Sequence, residues 1–184
     1  MARTPVDNAI IEDLFSVPPS RIAGIRALEP LLAPGATVAL STHLNADGDG
    51  CGSEAALARL LAQRGMHVRI VNPTPWPELF RFLLGDDVED ATARGAEALQ
   101  GIDLLLVLDI NDVRRLGVLA DAVRALEVPI GVIDHHVPGE EPVGHVTYAD
   151  TAACATGELV FDLARTLGLD ITPAVAESLY CALL

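Results

Sequence analysis

Four short segments of largely apolar residues, set apart by helical patterns, constrain the fold of this chain more than any other feature. Thr37-Val-Ala-Leu-Ser41, His67-Val-Arg-Ile-Val71, Leu104-Leu-Leu-Val-Leu108 and Val128-Pro-Ile-Gly-Val-Ile133 read as strands. Helical spacing fills the intervals. Ile22, Ile25 and Leu28 follow a cap at Ser20 and stop near Pro30, and residues 53–64 end at Gly65 in the C′ position. Residues 91–100, 116–126 and 153–167 carry further helical patterns. Apolar strands alternating with helices have to be covered on both faces, which predicts an α/β chain with a parallel sheet flanked by helices. Thr172-Pro173 opens a last helix well, as N-cap and first residue. That helix runs into Leu179-Tyr-Cys-Ala-Leu-Leu184 without a charge or a capping glycine, so the expectation is a truncated end or one covered by a partner. At the other end, Ile10, Ile11, Leu14 and Phe15 make one apolar turn before Pro18-Pro19, read as a short helix and linker.

Composition removes several classes of function. With 184 residues, 51% of them hydrophobic and 21% charged, the chain can bury its own core and is neither disordered nor fibrous. Its longest apolar run is the segment ending at Leu184, far short of the ~20 residues that cross a bilayer, so no membrane partner is expected. No secretory pattern opens the chain. Cys51, Cys154 and Cys181 lie far apart, which fits a reducing cytoplasm and excludes a zinc knuckle; Cys51 and Cys154 read as small packed hydrophobes. Twelve basic against 26 acidic residues leave a net charge of −14. A broad basic face for nucleic acid is thereby excluded, and an anionic substrate must be neutralised by something other than Lys and Arg.

Ligands of parallel α/β sheets bind beyond the carboxyl ends of the strands. His43, Asp47 and Asp49 follow the first strand, Asp109 follows the third, and the fourth runs into Asp134-His135-His136. In His43-Leu-Asn-Ala-Asp-Gly-Asp-Gly-Cys-Gly-Ser53, the glycines at 48, 50 and 52 are expected to allow unusual backbone angles, so that His43, Asp47 and Asp49 converge. Ser53 is expected to cap the following helix. The G-x-G-x-G spacing is neither a dinucleotide fingerprint nor a Walker loop. Carboxylates with a few imidazoles and no thiolate pair suit Mn²⁺ or Mg²⁺. Cations between such acids would relieve their repulsion and let an acidic chain receive a phosphate.

These residues carry a resemblance. His43-x-Asn-x-Asp47-x-Asp49, Leu-Asp109, Asp134-His135-His136 and Asp150 are similar, in order, to the four motifs of the DHH phosphoesterase superfamily. The segments Val107-Leu-Asp-Ile-Asn-Asp-Val-Arg-Arg-Leu-Gly117 and Asp150-Thr-Ala-Ala-Cys-Ala-Thr-Gly-Glu158 resemble its branch of oligoribonucleases that also act on 3′-phosphoadenosine 5′-phosphate (PAP). Ala46 stands where the family usually has proline, and Gly50 where alanine is common. The resemblance implies a Rossmann-like DHH domain over residues 36–184 behind a helical lead-in over 1–35. It also implies a C-terminal DHH-associated domain that this sequence does not contain.

For chemistry the resemblance implies two-metal phosphoester hydrolysis, with Mn²⁺ favoured, two per chain, and Mg²⁺ the alternative. His43, Asp47 and Asp109 would hold one ion; Asp49, Asp109, His135 and Asp150 would hold the second, with Asp109 bridging. His136 would face the substrate phosphate, making it and Asp109 the catalytic pair, and Asp134 would orient a neighbouring histidine. The implied partners are a short oligoribonucleotide or nucleotide in a cytoplasmic setting, with a homodimer left open. A manganese pyrophosphatase, a cyclic-dinucleotide phosphodiesterase and a non-catalytic metal- and nucleotide-binding domain are the rival readings. His67, His145, Arg114 and Arg115 read as surface residues, and Asn45 as a brace for its loop.

Overall fold

The computed structural model describes residues 16–184; the apolar turn expected at Ile10, Ile11, Leu14 and Phe15 lies outside the described residues. Six strands form one sheet: β1 (Thr37–Ser41), β2 (His67–Ile70), β3 (Glu89–Asp90), β4 (Leu104–Leu108), β5 (Ile130–Asp134) and β6 (Val146–Ala149). All five pairings are parallel, in the order β3-β2-β1-β4-β5-β6. Chain order therefore reverses between β1 and β4, where the following loops part and open a crevice. The α/β expectation is met.

β4 shows why the strands read as apolar throughout. Leu104, Leu106 and Leu108 join one core, while Leu105 and Val107 join the other, because alternate side chains point to opposite faces. The first core packs under α1 (Pro19–Leu28), α2 (Gly48–Gln63), α4 (Thr156–Leu167) and α5 (Pro173–Leu183). The second lies under 3₁₀ turns and the short α3 (Ala120–Arg124). Among the described residues, no helix is long and apolar enough to cross a membrane.

Several local expectations need correction. α1 begins at Pro19, with Pro18 at the N-cap and no side-chain cap, so Ser20 lies inside the helix. The span 91–100 is mostly 3₁₀, Thr92–Leu99, broken at Gly95 with φ 54°; the helix expected over 116–126 is α-helical only at Ala120–Arg124, behind the 3₁₀ segment Val113–Leu119 that Gly117 breaks with φ 49°. β3 and β6 went unread, one being two acidic residues and the other a half-exposed edge strand. Gly65 and Thr172 behave as expected: Gly65 has φ 75°, and Thr172 accepts the Val175 N–H to cap α5. Leu179 and Ala182 of α5 are buried, while Tyr180, Leu183 and Leu184 are exposed.

Helix α2 opens five residues earlier than Ser53, at Gly48, and the reason bears on the site. Asp47, not Ser53, is its N-cap: Oδ1 accepts the N–H groups of Asp49 and Gly50, both at 3.1 Å. The glycines at 48, 50 and 52 do not have positive φ. They are needed for contact instead. A Cβ at Gly52 would lie 2.5 Å from the Ser178 carbonyl and 2.7 Å from the Ala182 nitrogen of α5.

Candidate metal centre

His43 leaves β1 with its ring already oriented. Nδ1 lies 2.8 Å from the Leu44 carbonyl, so the proton belongs there and Nε2 presents a lone pair. That Nε2 lies 3.3 Å from Asp109 Oδ2 and 3.7 Å from Asp47 Oδ1. His135 is set in the same way: Nδ1 meets the Ala153 carbonyl at 3.2 Å, while Nε2 lies 3.4 Å from Asp49 Oδ2 and 3.5 Å from Asp109 Oδ1. The structure thus brings His43, Asp47, Asp49, Asp109 and His135 together.

Asp109 is the centre of this arrangement. It follows β4 with φ 62°, a conformation costly for a residue with a side chain and found where the surroundings over-determine it. Its carboxylate is almost wholly buried; Oδ2 faces His43, while Oδ1 accepts the Thr156 hydroxyl at 3.1 Å and faces His135. Asp49 is seated on the first turn of α4, where it accepts Thr156 N–H at 2.8 Å and Gly157 N–H at 3.0 Å.

The end of β5 separates two roles. Asp134 is fully buried; Oδ1 takes the His136 ring Nδ1 at 2.8 Å, and Oδ2 takes the Asn111 amide. Asp134 thus holds the His136 ring and backbone N–H in place. Nδ1 of the half-exposed His136 ring is thereby engaged by Asp134. Asp150 stands apart: Oδ2 pairs with Arg21 Nε at 2.7 Å and Oδ1 accepts Ala152 N–H at 2.9 Å.

Two sets of atoms could each hold a cation: His43, Asp47 and Asp109, and Asp109, His135 and His136, with the atoms of each set within 4.8 Å of one another. Asp109 belongs to both. The electrostatics favour such ions. Burial and the neighbouring Asp109 push the Asp49 carboxyl up to about 6. His43 is raised by its contact with Asp109, against the effect of burial. Burial would raise Asp109 as well, but His43 and His136 hold it below the ordinary carboxylate range. Oxygen and imidazole donors without a thiolate, gathered around a buried acid, fit Mn²⁺ or Mg²⁺.

Sequence reasoning missed three residues. Thr156 binds both Asp49 and Asp109, and its place in the segment 150–158 was a usable signal. Asn111 ties Asp134 to the loop at 136–139 and accepts the Gly139 N–H at 2.5 Å. Arg21 carried no local signal, being 129 residues from Asp150. Of the residues read as bland, His67 and His145 are exposed, and Arg114 pairs with Asp112 and Glu140. Asn45 braces its loop with φ 55° and an N–H bonded to Thr74. Cys51 is buried as expected, but Cys154 is exposed, because it sits in the turn ahead of α4.

The model of the DHH family N-terminal domain matches residues 37–183. The bifunctional oligoribonuclease and PAP phosphatase NrnA of Bacillus subtilis is 27% identical over 151 residues, 80% of this chain and 45% of that protein. The protein of the same description from Thermus thermophilus is 30% identical over 161 residues, 85% of this chain and 45% of its own length. The chain thus spans a little under half the length of these relatives. Among solved structures, an exopolyphosphatase-related protein from Bacteroides fragilis superposes with a TM-score of 0.76 at 24% identity, covering 86% of this chain and 48% of that one. That likeness establishes the fold.

Proposed function

This chain belongs to the DHH family, and from that premise we propose that it hydrolyses phosphoester bonds in short oligoribonucleotides or PAP with two divalent cations. The observation that carries the reading is Asp109, whose two oxygens face two separate groups of nitrogen and oxygen donors. His43, Asp47 and Asp109 would hold one ion, and Asp49, Asp109, His135 and Asp150 the other. When bound, the ions would supply Lewis-acid stabilisation of phosphoryl oxygens and activation of water. The side chains account for the rest. Leu44 and Ala153 carbonyls keep His43 and His135 in the tautomer that offers Nε2 inward. Asp134 keeps a proton on His136 Nδ1, and Nε2 is then free to meet a substrate oxygen. Mn²⁺ is the favoured ion and a cytoplasmic setting the favoured one.

The choice of substrate follows the relatives' printed activities, and the non-catalytic reading is separated from it by turnover. Asp109→Ala should lose metal and activity together, whereas His136→Ala should keep metal and turn over about 100-fold more slowly. Metal content and kcat/KM for PAP, a diribonucleotide and bis-p-nitrophenyl phosphate decide this. Equal metal loss in both variants refutes the assignment of roles.

A further inference from the structure

Helix α1 lies outside the span matched by the family model, yet one of its side chains bonds Asp150, a residue proposed above for the second cation. Arg21 is 7% exposed and divides its guanidinium among three carboxylates. Nε meets Asp150 Oδ2 at 2.7 Å, while Nη1 meets Glu158 Oε1 at 2.5 Å and Asp162 Oδ2 at 2.8 Å. Glu158 and Asp162 both stand on α4, and Glu158 is itself fixed by the Cys154 N–H at 2.8 Å. The guanidinium is thus anchored on one rigid helix while it holds an acid at the end of β6. The seat of α1 is close as well, since a Cβ at Gly24 would lie 2.7 Å from the Tyr148 ring of β6.

We propose that Arg21 is a positioning residue that fixes the Asp150 carboxylate for the second cation, an inference that rests on the two-cation reading above. A carboxylate already held in one orientation loses no rotamer freedom when an ion arrives, and partners of this kind raise metal affinity by about 10- to 100-fold. The planar fork is essential, because a lysine ammonium cannot span acids on two elements in fixed directions.

The test is a Mn²⁺ titration of the 184-residue chain, followed by the electron paramagnetic resonance of free Mn²⁺, with circular dichroism to check the fold. The unsubstituted chain should show two binding steps. Arg21→Lys should leave the first intact and weaken the second by about 10-fold or more. Asp150→Asn should weaken the same step, and the double variant should be no weaker than Asp150→Asn alone. Asp162→Asn removes one anchor of Arg21 without touching Asp150; it should weaken that step to a smaller degree and stands in if Arg21→Lys does not fold. Unchanged binding, equal weakening of both steps or additive losses in the double variant would overturn the role of Arg21. An unsubstituted chain that binds no Mn²⁺ would overturn the two-cation reading itself, and this inference with it.

Discussion

Around Asp109 the chain gathers Asp47, Asp49 and Asp134 with three imidazoles; around Arg21 it gathers Asp150, Glu158 and Asp162 with one guanidinium. A guanidinium stays charged throughout the accessible pH range, whereas an imidazole is a cation only when protonated. Asp150 and Glu158 record the difference, whereas burial raises Asp162 despite the same guanidinium. Asp150 lies below the ordinary range because of its bond to Arg21. Glu158 lies below it too: burial would raise it, but the bonds from Arg21 and Cys154 together lower it. Asp49, buried and facing Asp109, is pushed up to about 6. One cluster carries its own permanent cation. The other offers carboxylates and imidazoles that could hold cations from outside.

Removing the permanent cation should have the largest effect on folding. Arg21→Met leaves buried Asp162 and its neighbours without their partner, a change that typically costs about 3–5 kcal/mol. Urea unfolding in EDTA measures it, and a loss below about 1 kcal/mol would mean that the cluster is not held by Arg21.

Supplying divalent cations should come next. At a Mn²⁺ concentration 100 times the dissociation constant, one site stabilises the fold by about 2.7 kcal/mol. The melting temperature should therefore rise with Mn²⁺ and fall with EDTA, in the unsubstituted chain but not in Asp109→Ala. A melting curve indifferent to both would remove the contrast between the clusters.

The pH dependence of the metal-free chain sharpens the comparison further. Burial raises Asp49 to about 6 and Glu54 to about 8, so each adds stability at low pH that is lost as pH rises through the folded value. His43, raised by Asp109, acts in the same direction. Asp150 and Glu158 act oppositely, but only below about pH 4.5, where unfolded carboxyls take up protons. Unfolding in EDTA should accordingly show stability falling from pH 5 to 8. Glu54→Gln should flatten the upper part of that slope; a stability that climbs across the interval would contradict these directions.

The smallest expected effect tests the link between Asp109 and α4. Thr156→Val removes the hydroxyl bonded to Asp109 Oδ1 and should cost about 1 kcal/mol. It should also weaken Mn²⁺ binding. Stability unchanged within 0.3 kcal/mol, roughly the noise of such comparisons, would show that the bond contributes nothing.

Most of the strand-end chemistry was legible because a parallel sheet places the residue after each strand at one edge. His43, Asp109 and Asp134-His135-His136 could be assigned on that basis before any contact was known. The start of α2 was misread because Asp47, expected only to approach the site, also caps the helix with its side chain. The glycines at 48, 50 and 52, expected to allow unusual backbone angles, make room for Thr42, Phe80 and α5 instead, because a sequence shows a missing side chain but not what packs against it.

By itself, then, the sequence determined the parallel α/β class, the apolar strands β1, β4 and β5, and the edge at which the acids and imidazoles meet. These follow from periodicity and strand direction, both local properties of the chain. Only the tertiary structure decided which atoms face one another. It fixed the tautomers of His43 and His135 through carbonyls, placed Asp109 in the left-handed region, and bonded Arg21 to acids 129 to 141 residues away. The physical reason is that hydrogen bonds and ion pairs act over a few ångströms of space, and nothing in the spacing of residues along the chain encodes that proximity.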